Sequence, residues 1–295
     1  MSDRSAELPP IKDNGVGRIP IEVSGKVMPN PDHLEYTADK AVFRVLAEGR
    51  SGLIAAIDGV GSGGEKSAKA AEFVADGLWH LETESTEPLT IDQAVNLLRG
   101  SISRATAKIK ELQDMSGDPD VDTTVSAGII CESPDGERRF LVTANVGDSR
   151  IYRYTPSSGV VDQLTVDHSI VQRLVAMGMI TPEEAFLHPQ RNVVLRTVGS
   201  LESPDDIDIQ VVEIHEGDIF LAVSDGVSDN LPPEGLPVAI QSEFKEAYDP
   251  VQNGPDLSKF ATGLAQRARN IQMTHSAHAK PDDTCVSVLR VPRTK

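Results

Sequence analysis

The chain of 295 residues is long enough to bury a full core, and its composition, 39% hydrophobic and 25% charged, is that of an ordinary soluble globular protein. Its 45 acidic and 28 basic residues give a formal net charge of −17, which disfavours binding to nucleic-acid phosphates or anionic lipid. No apolar run approaches about 18 residues, and the start "MSDRSAELPP" lacks the apolar segment of a leader, so we expect a cytoplasmic protein that binds neither nucleic acid nor membrane.

The first third of the chain predicts a loose lead-in, two strands and two helices. Residues 1–20 are rich in proline, glycine and charge, and no element is predicted there. The stretches "AVFRVLAEG" and "GLIAAID" are typical of strands joined by a "GRSG" turn. One helix is predicted from Glu65. A longer one is predicted from Ile91 to Leu112, where apolar residues keep helical spacing behind a Thr90 cap with Gln93 three residues on.

The remainder predicts strands, two short helices, strands again and a late helix. "TTVSAGIIC", "RRFLVTANVG" and "SRIYRY" are typical of strands, while "SIVQRLVAMGMI" and "TPEEAFLH" predict short helices, the second capped by Thr181. "IDIQVVEI" and "DIFLAVSD" predict a hairpin across "HEGD"; "LSKFATGLAQRARNIQ" predicts a helix and "TCVSVLRV" a terminal strand. Residues 230–256 are weakly patterned. Cys131 and Cys285 fall in strand-like stretches and are expected to be reduced core thiols.

The order of these elements indicates an α+β fold. Strands come in runs rather than alternating with helices, which favours mainly antiparallel sheets with helices packed outside them. Because no linker divides the chain, residues 21–295 are expected to form one domain.

Aspartates recur where predicted strands end or begin. "LIAAIDGVGSG" and "FLAVSDGVSDN" place Asp58 and Asp225 between an apolar strand and a glycine, Asp148 lies on a turn between strands, and Asp282 precedes the terminal strand. A strand fixes its last side chain well, and carboxylate oxygens suit hard divalent cations. A single Asp-Gly after a strand is more often a plain turn. The residues alone therefore leave two interpretations open, a carboxylate metal site and ordinary turns.

Seven blocks follow one another in the order of a known family: "AIDGVGSGGEKSA", "DTTVSAGII", "TANVGDSRIYRY", "QLTVDHSIVQRLVAMGMITPEEA", "HPQRNVVLRTVGS", "DIFLAVSDGVSDNL" and "DDTCVSVLRV". On these blocks, which cover about residues 25–292, the chain resembles the metal-dependent Ser/Thr protein phosphatases of type 2C (PPM) in their bacterial single-domain form. The resemblance implies a four-layer α-β-β-α sandwich, two packed antiparallel sheets flanked by helices, with a variable flap at about 169–193.

The resemblance also implies a metal site and a reaction. Its Mg²⁺ or Mn²⁺ ions, two tight and a third weaker, are assigned by matching motifs: Asp58 bridges the first two with the Gly59 carbonyl on one of them, Asp225 and Asp282 bind the second, and Asp148 with Asp229 holds the third. A metal-activated water would then hydrolyse phosphoserine or phosphothreonine on proteins without a covalent phosphoenzyme. The implied partners are phosphorylated substrates of a Ser/Thr kinase, and the expected state is a monomer.

The opening of the chain departs from the family pattern. The family carries an Arg and then Asn-Glu-Asp or Met-Glu-Asp near its first strand, and the nearest stretch here is "GKVMPNPDHLEY". Asp32 is assigned to the Asp place as a catalytic residue, Pro31 stands where the Glu is expected, and Lys26, the nearest basic residue, is the candidate phosphate-binding group. These departures keep a second function open, a catalytically weak or inactive binding module on the phosphatase fold. The block order disfavours a third, a phosphodiesterase on another fold.

Other polar residues are first interpreted structurally. His275 and His278 precede Asp282 and are expected to be polar loop groups, because the family binds its ions through oxygen. His168 is expected to be a structural hydrogen-bonding residue, and Arg150 and Arg196 are expected to orient loops or to pair with carboxylates. The proton donor to the leaving group is unassigned, since an apolar residue, Val60, occupies the position at which some relatives carry a proposed general acid.

Overall fold

The computed structural model of the protein describes residues 21–32, 36–61, 64–81, 87–251, 253–274 and 279–293, so the predicted lead-in at 1–20 lies outside the described residues. The strands are, in chain order, β1 Glu22–Met28, β2 Lys40–Leu46, β3 Ser51–Ile57, β4 Gly59–Val60, β5 Asp122–Thr123, β6 Val125–Glu132, β7 Arg139–Val146, β8 Arg150–Thr155, β9 Val160–Gln163, β10 Asp208–Ile214, β11 Ile219–Val223, β12 Tyr248–Asp249, β13 Gly254–Pro255 and β14 Thr284–Arg290. The helices are α1 Glu65–Trp79, α2 Ile91–Ser116, α3 Ile170–Ala176, α4 Pro182–Phe186, α5 Asp225–Ser228, α6 Gly235–Ala247 and α7 Leu257–Gln272. Short 3₁₀ turns lie at Ala47–Gly49 and Pro204–Asp206.

The longer strands form two five-stranded antiparallel sheets. The first sheet has the order β1-β14-β11-β8-β9 and the second the order β10-β7-β6-β3-β2. In the first sheet, Val223 at the end of β11 pairs with Val286 of β14 and with Arg150 at the start of β8. In the second sheet, Ile57 at the end of β3 pairs with Lys40 at the start of β2. Antiparallel register therefore brings strand ends and strand beginnings to the same edge of each sheet.

Apolar side chains at alternate strand positions fill the core between the layers. In β3, Ile54 and Ala56 face the opposite sheet, whereas Leu53 and Ile57 face α1 and α2. Both faces of β3 are buried, which explains its unbroken apolar run. Phe220 of β11 is fully buried between the sheets, and truncation of such a side chain to alanine costs about 3–5 kcal/mol.

Helices cover the outer face of each sheet. α1 and α2 pack on the second sheet, and α6 and α7 pack on the first. α2 begins with the predicted capping box, in which the Gln93 N–H donates to the Thr90 hydroxyl and the Thr90 N–H donates to the Gln93 side chain. The layers follow the order α-β-β-α, so the prediction of an α+β sandwich is confirmed. Among the described residues, no helix combines the length and the apolarity that crossing a bilayer requires.

The predicted hairpin across "HEGD" is wrong. β10 pairs with β7 in the second sheet, where Asp208 lies opposite Asn145, while β11 pairs with β14 and β8 in the first. The turn, in which the His215 N–H donates to the Asp218 carboxylate at 3.0 Å, therefore crosses from one sheet to the other. The same turn residues occur in a hairpin and in a connection between two sheets. Which of the two forms here depends on the strands with which β10 and β11 pair, and these lie elsewhere in the chain.

Several elements were not predicted, among them β9 and the shortest strands, and for two of them, β1 and α6, the sequence shows a physical reason. β1 is an edge strand that contains Gly25 and Lys26, and its apolar alternation is weak. α6 lies inside the weakly patterned stretch and carries Pro237 in its first turn, where the missing N–H has no acceptor to lose. Both cysteines are buried and free, as predicted.

Candidate metal centre

Three buried carboxylates converge at one end of the sandwich. Asp58 follows β3 of the second sheet, Asp225 follows β11 of the first, and Asp148 lies on the turn that joins β7 to β8. Each offers one oxygen, and these oxygens all lie within 4.8 Å of one another. The Asp-Gly corner of each sheet thus faces the same point, which explains why similar strand endings occur so far apart in the sequence.

Close backbone contact explains the glycine after each strand-ending aspartate. A Cβ on Gly59 would come within 2.7 Å of the Ser67 carbonyl oxygen. A Cβ on Gly226 would come within 1.7 Å of the carbonyl oxygen of Asp283, so no other residue fits without displacing the start of β14. Both glycines let another backbone segment approach the carboxylate, and this contact holds the corner in place.

The carbonyl of Asp58 is fixed by the end of β5 and the residue that links it to β6. It accepts a hydrogen bond of 2.8 Å from the Thr124 N–H and one of 2.7 Å from the Thr123 hydroxyl. These two hydrogen bonds hold the backbone of Asp58 in place just after β3. The direction of the Asp58 side chain into the cluster therefore does not depend on the loop that follows.

Asp148 is positioned through its neighbour Gly147. The Gly147 N–H donates to Nδ1 of His168 at 3.0 Å, and Nε2 of His168 lies 3.0 Å from the Asp208 carboxylate. With Nδ1 accepting, the proton of a neutral ring sits on Nε2 and points at Asp208. The structural role predicted for His168 agrees with this arrangement. Arg196 also bonds Asp208, at 2.9 Å, as expected for a residue that pairs with a carboxylate.

A further buried aspartate, Asp39, belongs to the same group. It immediately precedes β2, and the Lys40–Ile57 pairing places it across from Asp58. Asp39 is 1% exposed, and its Oδ2 accepts a hydrogen bond of 2.6 Å from the hydroxyl of Ser224, the residue before Asp225. Sequence reasoning missed Asp39. The available signal was its position, directly before a strand that pairs with the strand ending in Asp58.

Asp32, by contrast, lies outside the group, so the structure contradicts its assignment as a catalytic residue. Its side chain is exposed, and its N–H donates to the Asn30 side chain at 2.9 Å in a local turn. A loop aspartate with no strand to direct it cannot replace one held at a strand start. The residue before Asp39 is Ala38, so the Glu that the family resemblance leads us to expect before this aspartate is missing here as well.

Asp283 ties the segment before β2 to the start of β14. Its carboxylate accepts hydrogen bonds from the Asn30 N–H at 2.5 Å, from the Thr37 hydroxyl at 2.9 Å and from the Ala38 N–H at 2.6 Å. These bonds hold the backbone just ahead of Asp39. Asp283 therefore positions a neighbouring carboxylate, whereas Asp282 faces the cluster.

Lys280 lies on the other side of the cluster. Its ammonium donates to Asp225, lies 3.0 Å from Asp282, and lies 3.5 Å from Asp229. Asp229 is one helical turn beyond Asp225, as the sequence predicted, and its N–H donates to the Asp225 carbonyl at 2.7 Å. The predicted ligands Asp58, Asp148, Asp225, Asp229 and Asp282 are therefore brought together.

Burial and mutual repulsion shift the pKa values of these carboxyls. Burial, followed by the charge of Asp225, raises the pKa of Asp58 and Asp148 well above the usual range. The same two causes raise the pKa of Asp282 to about 7. Burial also raises the pKa of Asp39, with the Asp282 charge next. For Asp225, burial is opposed by the Lys280 ammonium, and its pKa is lowered on balance. Such a group of carboxyls binds protons or cations readily.

The donor set fits hard divalent ions. Oδ1 of Asp148 and Oδ1 of Asp225 are buried and accept no hydrogen bond from any donor in the described part of the chain. A buried carboxylate oxygen without a partner is costly unless a cation meets it. The ligands are all oxygens, which Mg²⁺ and Mn²⁺ prefer.

Other predicted site residues lie elsewhere. Lys26 is exposed in β1, and its pairing with Val286 places it on the helix-facing side of the first sheet, not with the buried carboxylates. His275 and His278 fall outside the described residues. Arg150 donates to the Asp167 carboxylate with both Nε and Nη2, at 2.9 and 2.6 Å, as expected for a loop-orienting residue.

A groove of about 500 Å³ leads from the carboxylates under the predicted flap. Asp148 and Asp229 line its inner end, and Val171 of α3 and Phe186 of α4 line the flap side. The outer surface of the same segment exposes Met177 and other apolar side chains. The groove gives an extended chain a route to the cluster.

Comparison with known proteins gives one family. A family profile described as "Protein phosphatase 2C" matches residues 35–266. The serine/threonine phosphatase stp of Listeria monocytogenes is 29% identical over 226 residues, covering 72% of this chain and 84% of that protein. The crystal structure of the Mycobacterium tuberculosis serine/threonine phosphatase PstP/Ppp shares the fold, with a TM-score of 0.70 and 23% identity over 93% of this chain and 100% of that one. The catalytic domain of PstP in complex with two manganese ions gives a TM-score of 0.68 and 23% identity, over 93% and 99%. Because the profile spans most of the described fold, including the strands that carry Asp39, Asp58 and Asp225, the chain belongs to the protein phosphatase 2C family.

Proposed function

We infer that the chain is a metal-dependent protein-serine/threonine phosphatase, which hydrolyses phosphoserine and phosphothreonine monoesters on proteins. The observation that carries this conclusion is the convergence of Asp58, Asp148 and Asp225 within 4.8 Å at the strand ends of a protein phosphatase 2C fold. A purely binding module has no physical need for several costly buried carboxylates. Their retention argues against the inactive-module alternative.

Each carboxylate has a proposed role. Asp58 would bridge two tight ions, with the Gly59 carbonyl and Asp39 on the side of the first, and Asp225 and Asp282 on the side of the second. Asp148 and Asp229 would hold a third, weaker ion. Bound ions supply an activated water and offset the charge on the phosphoryl oxygens. The protein's own contribution is to hold these carboxylates rigidly at strand ends and to exclude solvent around them.

Mg²⁺ and Mn²⁺ both suit the oxygen donor set, and the manganese complex of PstP supports Mn²⁺ as the ion for a first assay. We further propose that residues 21–295 act as one catalytic domain, with 169–193 as its flap. Phosphorylated proteins, substrates of a Ser/Thr kinase, would reach the cluster through the groove under α3 and α4. We also propose that it is a cytoplasmic monomer, and the acidic net charge of −17 supports the absence of nucleic-acid or anionic membrane partners.

Hydrolysis of p-nitrophenyl phosphate and of a phosphothreonine peptide, in Mn²⁺ and in EDTA, tests the function. We expect turnover in Mn²⁺ and none above background in EDTA, for both substrates. Tight Mn²⁺ binding without turnover of either substrate would instead support the inactive binding module. Absence of both binding and turnover would refute the proposed metal centre itself.

A further inference from the structure

Lys280 is a positive charge built into the carboxylate cluster. Its Nζ donates a hydrogen bond to Oδ2 of Asp225, lies 3.0 Å from Oδ2 of Asp282, and lies 3.5 Å from Oδ2 of Asp229. The side chain is only 15% exposed. An ammonium with three donors can thus satisfy oxygens of three different carboxylates at once.

The backbone of Lys280 is held in place by a buried amide. Asn230, 1% exposed, accepts the Lys280 N–H at 2.9 Å and donates to the Lys280 carbonyl at 3.0 Å. The same amide donates to the Gly226 carbonyl at 2.8 Å, one residue after Asp225. Asn230 therefore holds the backbone of Lys280 next to Gly226 and Asp225. The Lys280 ammonium starts from a fixed position beside the cluster, unlike that of a lysine on a mobile surface loop.

The two oxygens of Asp225 have different partners. Oδ2 binds Lys280, while Oδ1 is buried and accepts no hydrogen bond from any described donor. Oδ1 is thus the oxygen open to an ion shared with Asp58. The oxygens on the Asp229 side already face a cation that belongs to the chain.

We propose that Lys280 is a tethered cation that competes with the third, weaker ion for Asp229, which its ammonium approaches while bonded to Asp225 and close to Asp282. This inference rests on the proposed metal-dependent function and adds a residue that no motif of the sequence pointed to. When a third ion binds, the ammonium must leave or share its carboxylates, so ion binding at this position is opposed by Lys280. The second tight ion shares Asp225 and Asp282 with the ammonium, so Lys280 opposes its binding as well. The first ion, proposed to bind Asp58, Gly59 and Asp39, shares no carboxylate with Lys280.

Removing the charge should strengthen binding of the third ion. Even at the dielectric constant of water, repulsion between an ammonium and a dication about 5 Å apart corresponds to roughly a tenfold change in affinity. Lys280→Met keeps the length and apolar stem of the side chain and removes its charge. We expect it to lower the dissociation constant of the third Mn²⁺ by at least about tenfold, with the two tight ions retained.

Isothermal calorimetry and Mn²⁺ electron paramagnetic resonance, at one ionic strength, measure the number and affinity of bound ions independently of turnover. Lys280→Arg retains the charge and should bind the third ion much as the wild type does. Lys110→Met is the matched control, because that partly buried ammonium donates to the Leu201 carbonyl at 2.6 Å and touches no carboxylate of the cluster. Lys280→Gln, neutral but able to donate, repeats the test if Lys280→Met does not fold in the absence of metal.

The outcomes separate the inference from the function beneath it. Tighter third-ion binding in the neutral variants, but not in Lys280→Arg or Lys110→Met, supports the proposal. Third-ion affinity within about twofold of wild type in Lys280→Met and Lys280→Gln, with the tight pair bound, overturns it and leaves the proposed function standing. An equal gain in Lys280→Arg also overturns it, because the charge would then not be the cause. Wild-type protein that binds no Mn²⁺ at all overturns the proposed function as well.

Discussion

Replacing Asp58 by asparagine should stabilise the metal-free protein and abolish its response to metal. Asp58 is 7% exposed and shares a 4.8 Å cluster with Asp148 and Asp225. Without ions, these carboxyls repel one another and are desolvated, so Asp58→Asn relieves strain in the cluster. With ions, the same substitution removes the carboxylate proposed to bridge the tight pair. Stability and activity should therefore change in opposite directions.

The distance sets the magnitude. Two unit charges 4.8 Å apart repel by about 3 kcal/mol at an effective dielectric constant of 20. Burial and the Asp225 charge raise the pKa of Asp58, which reflects the same unfavourable environment of its carboxylate. A net gain of about 1–3 kcal/mol in the metal-free protein at pH 8 follows, which is a rise of a few degrees in melting temperature for a domain of this size. In saturating Mn²⁺, kcat should fall by at least about 10³-fold.

Thermal melts in EDTA and in Mn²⁺, with p-nitrophenyl phosphate kinetics on the same samples, test both halves of this prediction. Asp122→Asn is the matched control: Asp122 is also buried, but its carboxylate accepts from the Thr197 hydroxyl at 2.7 Å and from the Gly199 N–H at 2.6 Å. This control should lower the melting temperature in both buffers and keep the full Mn²⁺-dependent rise. An Asp58→Asn protein with near wild-type turnover, or with an undiminished Mn²⁺-dependent rise, would refute the reasoning.

Four further predictions address the rest of the site. Burial and the Asp225 charge raise the pKa of Asp282 to about 7, so the folded metal-free protein holds a proton that the unfolded chain releases near its ordinary pKa of about 4. The stability of the protein in EDTA should therefore fall as pH rises from about 4 to about 7, and the Mn²⁺-dependent rise in melting temperature should grow over that range. Stability that does not change with pH would contradict this prediction. Asp39→Asn should weaken Mn²⁺ binding at least about tenfold by calorimetry while Asp32→Asn leaves it unchanged, since only Asp39 is buried beside Asp58; equal effects would contradict this placement. Asp148→Ala should lower kcat while calorimetry still shows the tight pair, and loss of all metal binding would mean that the third-ion role is misassigned. Lys26→Ala and Lys26→Arg should leave KM unchanged, because Lys26 lies on the helix-facing side of β1; a raised KM in the alanine variant would restore the phosphate-binding role.

Local pattern was sufficient for most elements of the fold. The three-four spacing behind Thr90 determines α2, and the unbroken apolar run of β3 predicts a strand buried on both faces. Two Asp-Gly corners were recognisable for the same reason, since a strand that ends on a carboxylate and a glycine stands out in any local window. The order of the motif blocks then led to the family and to Asp58, Asp148, Asp225, Asp229 and Asp282.

What the sequence by itself could not determine was which strands meet. The "HEGD" turn was predicted as a hairpin because turn residues report local geometry, whereas the partners of β10 and β11 lie far along the chain. Asp39 was missed, and Asp32 chosen, because only the register of β2 against β3 places Asp39 opposite Asp58. Lys280 carries no motif, and its role depends on Asn230, which holds it beside Asp225 across a separation of 50 residues. Local propensity acts over a few residues, whereas a metal site is assembled from strand ends that only tertiary packing brings together. For that reason the sequence determined most of the secondary-structure elements, and the tertiary structure decided which of them come into contact.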